Sequence, residues 1–165
     1  MRLFINCIIV FICLMIQTTL FNFVTLEVHP DILLVLTIFL GKQNGGGKGA
    51  QYGAVIGLLQ DLLSFGSIGI NMISKSFVGF TVGFLEEHYL FDANLTSVVT
   101  VLVASLFDYI LYSSFISMLY GYLITEHLSF GVIITLLFFN LLVAIVLFPT
   151  IDALERTFPA SIKKN

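Results

Sequence analysis

Charge is scarce in this chain. Of its 165 residues, 10% are Asp, Glu, Lys or Arg, where a soluble domain carries about 25%. That deficit excludes a water-facing globular surface. With 58% hydrophobic residues and a mean hydropathy of +1.05, the chain reads as an integral membrane protein. The 7 basic residues form no stripe, which excludes nucleic acid as a partner. Tryptophan is absent, while 17 phenylalanines are present, as suits lipid-facing helices. The two cysteines, Cys7 and Cys13, are about 600° apart on a helix and far from any histidine. They read as free thiols packing as small hydrophobes, not as a disulfide or metal pair. No Pro/Ser-rich linker interrupts the chain, so residues 1–165 read as one transmembrane domain. G-x-S-x-G, H-E-x-x-H, C-x-x-C and P-loop patterns are all missing, which argues against an enzyme, and nothing calls for a cofactor or metal. His29 and His127 beside Glu27 and Glu126 have no spacing that fixes a zinc site.

The apolar residues fall into six runs: Leu3–Val24, Asp31–Gly41, Ala50–Ser64, Asn71–Leu85, Leu95–Ile124 and Ser129–Phe148. The first is longer than a signal-peptide core and lacks a small-x-small cleavage site, so it reads as a retained helix. The first, fifth and sixth are long enough to cross about 30 Å of hydrocarbon. Asp31–Gly41 spans only about 16 Å, as a re-entrant half or as a crossing lengthened by its flanks. Pro30 and Asp31 suit its first turn, where proline loses no ladder bond and an aspartate meets the helix dipole. "GKQNGGGKG" reads as a flexible cytoplasmic turn, and Pro149 as the stop of the last helix. Six crossings with a cytoplasmic N-terminus place Arg2, Lys42, Lys48, Arg156, Lys163 and Lys164 inside, leaving Lys75 as the exception. Tyr120 and Tyr122 then read as part of an outer interfacial belt.

Two glycine rows stand out. Gly49, Gly53 and Gly57 lead at intervals of four to Asp61, and Lys75 leads likewise to Gly79 and Gly83. Spacing by four keeps each row near one helix face. An antiparallel hairpin about Phe65–Ile70 pairs Asp61 with Lys75, Gly57 with Gly79 and Gly53 with Gly83. Close backbone approach is what holds helices together in lipid, and glycine permits it. An ion pair lowers the cost of two charges in an apolar zone. Asp108, deep in the fifth run with Ser105 and Tyr112 on its face, is expected to point into the bundle, with Asn140 its partner by depth. The outer half of the third and fourth helices, with the 65–71 turn, is the expected partner-contact face.

"PDILLVLTIFLG" followed by "GAQYGAVIGLLQDLLSFGSIGINMISKSFVGFTVGF" resembles the bacterial rod-shape-determining MreD family. Pro30, Asp31, Gly53, Gly57, Asp61, Leu62, Gly69 and Asn71 stand where the family pattern puts them. The likeness is close over Pro30–Leu85; beyond it the hydropathy profile matches. It implies a non-enzymatic protein of the bacterial inner membrane, acting in the cell-elongation complex. Its implied partners are an MreC-like periplasmic protein and, indirectly, MreB-like filaments and peptidoglycan synthases. It also implies an all-α fold of about six transmembrane helices, similar to the substrate-binding subunits of energy-coupling-factor vitamin transporters. A transporter subunit is the alternative function; the absence of Ala and Gly from Leu3–Val24 speaks against it, because those subunits dock through an Ala-rich first helix.

Overall fold

The structure is a computed structural model. It describes residues 2–23, 29–64, 69–88, 93–121 and 129–157, and the side chains of 8–19, 29–64, 69–88, 97–121 and 129–154. The described residues form six helices: α1 (Arg2–Phe23), α2 (Ile32–Asn44), α3 (Gly46–Leu63), α4 (Ile70–His88), α5 (Ala93–Tyr120) and α6 (Phe130–Thr157).

The centre of the bundle is α2. Its residues Leu33 to Gly41 are all buried, as expected of a helix that is apolar all round. One side of it packs with Cys13, Leu14, Ile56 and Ile151. The other packs with Val78, Val82, Val101, Ala104 and Ala144. Every other helix thus touches α2. Its start is set by Asp31, whose carboxylate accepts the Leu34 N–H at 2.9 Å, satisfying a donor that the first turn leaves free. With 13 residues it is about 20 Å long, short of a bilayer's hydrocarbon core.

The glycine-rich stretch after α2 is not a flexible turn. Helix α2 runs to Asn44 and α3 starts at Gly46, so the reversal rests on Gly45 alone, at φ +81°. Only glycine adopts that conformation freely. Low helix propensity suggested a loop. Tertiary packing overrides it, because a Cβ on Gly46 would lie 3.1 Å from the Phe84 nitrogen, and one on Gly49 would overlap the Gly79 carbonyl.

The last helix also departs from expectation. It passes through Pro149 and continues to Thr157. Proline forfeits one ladder bond, the one to the Ile145 carbonyl, and the helix continues past it with its other bonds. Thr150 Oγ1 donates to the Val146 carbonyl at 2.5 Å. Ser97–Tyr120 of α5 and Phe130–Leu154 of α6 are long and apolar enough to cross a membrane, and most of their surface is unburied. Cys13 is a buried free thiol; the side chain of Cys7, the Phe65–Ile68 part of the α3–α4 turn, Tyr122, Glu126, His127 and the tail from Phe158 lie outside the described residues.

Candidate functional site

Helices α3 and α4 form a hairpin whose glycines sit directly on the opposite backbone, in a different register from the one their spacing suggests. A Cβ on Gly57 would overlap the Asn71 carbonyl, one on Gly53 the Lys75 carbonyl, and one on Gly83 the backbone of Gly45. Gly79 meets Gly49, not Gly57. Each partner lies about two helical turns nearer the start of α4 than expected. A third helix joins at Gly41, where a Cβ would lie 2.9 Å from the Gly79 oxygen. Glycines of α2, α3 and α4 therefore share one junction.

The carboxylate of Asp61 sets this register. It accepts the backbone N–H of Gly69 at 2.8 Å, of Asn71 at 3.2 Å and of Met72 at 3.1 Å. It also takes the Asn71 side-chain amide at 2.8 Å. These are the donors that open a helix and have no partner within it. By binding them, Asp61 draws the first turn of α4 against the end of α3. Gly69, at φ +103°, makes the bend. Asp61 is thereby a cap, and the expected Asp61–Lys75 ion pair is not formed.

Lys75 instead reaches Asp31 on α2, with Nζ–Oδ2 at 2.6 Å. Side chains on a helix lean toward its N-terminus, which carries the ammonium back over Asn71, whose Oδ1 accepts at 3.1 Å. The lysine side chain is 0% exposed and that of Asp31 17%. Around this pair the other helices close. From α1, Gln17 donates to Asp31 Oδ1 at 3.2 Å and accepts the Leu33 N–H at 3.0 Å. From α6, Asn140 Oδ1 accepts the Asp31 N–H at 2.8 Å, while its amide donates to Ser105 of α5 at 3.0 Å. Ser74 of α4 donates to Asp108 of α5. Asn140 is thus committed to Asp31 and Ser105, not to Asp108 as depth alone suggested. Electrostatically, Lys75 also feels Asp108 and Asp61.

All six helices contribute to this polar knot. Asp108 and Asn140 stand near the midpoints of the two long apolar stretches, so α2 begins, α3 ends and α4 begins at that level. A charge there is costly unless paired. Every ionic member has a partner, and removing one leaves the other buried and uncompensated, a loss of about 3–5 kcal/mol.

Of the residues that sequence reasoning singled out, Asp61, Asn71, Lys75, Asp108 and Asn140 meet here, with Gly69 at the bend, while Gly53, Gly57, Gly79 and Gly83 seat the hairpin. It missed Gln17, Ser74, Gly41 and Gly45, and it read Asp31 only as a helix start. Gln17 was legible as an amide well inside the first apolar run, away from Asn6 and Asn22 near its ends. At the opposite end of the hairpin, Lys42 donates to Ser97 at 2.9 Å and lies 3.7 Å from Glu86, and Glu87 accepts the Gly46 N–H at 3.3 Å. Among the described residues, three cavities of about 500–510 Å³ indent the bundle: between α4 and α5, between α1 and α6, and beside Lys42; none of these three has a knot residue in its wall. Among the described residues, no three His, Cys, Asp or Glu side chains could hold a metal ion.

The family model for the rod shape-determining protein MreD matches residues 1–158, which takes in α5 and α6 as well as the Pro30–Leu85 stretch. No curated protein and no solved structure matches the chain. With nearly its whole length matched, the chain belongs to the MreD family, membrane proteins of the system that determines rod shape.

Proposed function

We propose that this chain is a non-enzymatic inner-membrane scaffold of the bacterial cell-elongation complex. In this reading the six helices form one membrane-embedded bundle in which α1, α5 and α6 span the bilayer and α2, α3 and α4 meet at the knot, both termini are cytoplasmic, and the bundle is similar to the substrate-binding subunits of energy-coupling-factor transporters. Its direct partner is an MreC-like periplasmic protein. MreB-like filaments and peptidoglycan synthases are reached through the complex.

One observation carries the proposal. The interior polar groups engage one another: Lys75 is fully buried and held by Asp31 and Asn71, and the walls of the three cavities exclude them. Such a knot fixes helix positions and leaves outward faces to do the work. On the knot side of the hairpin those faces carry exposed Leu62, Leu63 and Ile73. A photo-crosslinking residue at each position, with the MreC-like protein co-expressed, tests this. Crosslinks from Leu62, Leu63 and Ile73 are expected. Crosslinks only from exposed Phe11 of α1 or Val146 of α6 would overturn the assignment.

A further inference from the structure

The cavity beside Lys42, about 510 Å³, lies at the end of the bundle away from the knot. Its polarity is ordered. Lys42, Glu86, Ser97 and Asp152 stand at its mouth, and Phe39, Val101, Ala144 and Phe148 line its depth. Phe39 and Phe148 pack ring to ring at 5.3 Å, giving a firm apolar floor. The mouth lies by the ends of two long apolar runs, near Leu95 where the one in α5 starts and Phe148 where the one in α6 stops. From Asp152 the wall runs along α6 to Leu141, about 16 Å, close to the thickness of one leaflet's hydrocarbon. The side is open toward lipid, since Ile145 on this wall is 60% exposed.

We infer that this groove binds a phospholipid with an ethanolamine head group, one acyl chain lying against α6 and the head group at the Lys42 mouth. The charge pattern selects the head group. Lys42 has three donors; one goes to Ser97, and the 3.7 Å spacing from Glu86 is too long for a hydrogen bond. Among the described residues nothing takes the other two donors, which are left for a lipid phosphate. Beside it stand two carboxylates, Glu86 and the exposed Asp152, and Asp152 has no ion pair among the described residues. Among the described side chains, one cation faces two anions, which repels a purely anionic head group. A primary ammonium next to the phosphate restores the balance and donates hydrogen bonds, which a trimethylammonium lacks. Pro149, also on this wall, has no N–H to give the Ile145 carbonyl, which leaves that acceptor available to such a donor. This inference is independent of the scaffold reading.

The test is native mass spectrometry of the full chain in detergent with equimolar phosphatidylethanolamine, phosphatidylglycerol and phosphatidylcholine of matched acyl chains. Ethanolamine lipid is retained roughly fivefold or more over the other two, as one charge-assisted hydrogen bond supplies. Asp152→Asn, at an exposed site, brings that retention down to the choline level without lowering choline retention. Lys42→Gln lowers all three. Glycerophosphoethanolamine, which lacks acyl chains, is not retained. Equal retention of the three lipids, preference for the glycerol lipid, or no effect of Asp152→Asn overturns the inference.

Discussion

Replacing Lys75 by methionine removes a charge while keeping most of the side-chain volume. The site is fully buried, so its own loss is mild; the damage falls on Asp31. That carboxylate, mostly buried, loses its 2.6 Å partner and keeps only Leu34 and Gln17 as donors to its side chain. An uncompensated buried charge lowers stability by about 3–5 kcal/mol. Asp31→Asn in the same chain removes the stranded charge, and asparagine caps a helix as well as aspartate does. The double variant Lys75→Met/Asp31→Asn is therefore expected to recover to within about 1–2 kcal/mol of the parent. Pairing Lys75→Met with Asp61→Asn gives no such rescue, because Asp61 is occupied by the α4 N-terminus. The buried Cys13 thiol supplies the assay: in a Cys7→Ser background, a thiol-reactive dye reports unfolding in detergent. Rescue by Asp61→Asn but not by Asp31→Asn would refute the arrangement of the knot.

Three further outcomes follow from the same geometry. Gly53→Ala and Gly49→Ala, whose Cβ atoms would overlap the Lys75 and Gly79 carbonyls, sharply reduce the folded fraction on size-exclusion chromatography. Gly47→Ala, with nothing within 4 Å, leaves it unchanged, and equal behaviour of the three variants would refute the close hairpin. Asn140→Leu strands the Asp31 N–H and loses the bond to Ser105, a cost of about 1–3 kcal/mol; unaltered stability in the thiol assay would remove Asn140 from the knot. On the proposed topology, cysteines at Gly47 and Gly121, both exposed, are expected on opposite sides of the membrane, Gly121 labelled by an impermeant maleimide on intact spheroplasts and Gly47 only after lysis. Labelling of both on intact spheroplasts contradicts a cytoplasmic α2–α3 end.

Much of the site was legible without its geometry. Polar residues in apolar runs are conspicuous, and Asp61, Lys75, Asp108 and Asn140 stand out for that reason alone. Glycines at intervals of four announce a surface for close contact. The identity of the partners was not legible. Spacing by four fits several registers equally, since a slip of one turn brings the same kind of residue back to the same face. Lys75 had three carboxylates within the bundle from which to draw a partner, and the one nearest along the chain was already occupied.

What the sequence by itself determined is the class of molecule and its family: too little charge for a water-facing surface, six apolar runs, and a family pattern of one proline, two aspartates and spaced glycines. Those properties are local or additive along the chain, so they survive without coordinates. The tertiary structure alone decided how the helices lock. Unpaired N–H groups at the start of α4 compete with an ammonium for Asp61 and win it, which slides the hairpin and hands Lys75 to Asp31. Glycines that look like loop residues become helical because another backbone lies against them. Both results arise from competition between groups distant in the chain, and only their arrangement in space settles which contact is made.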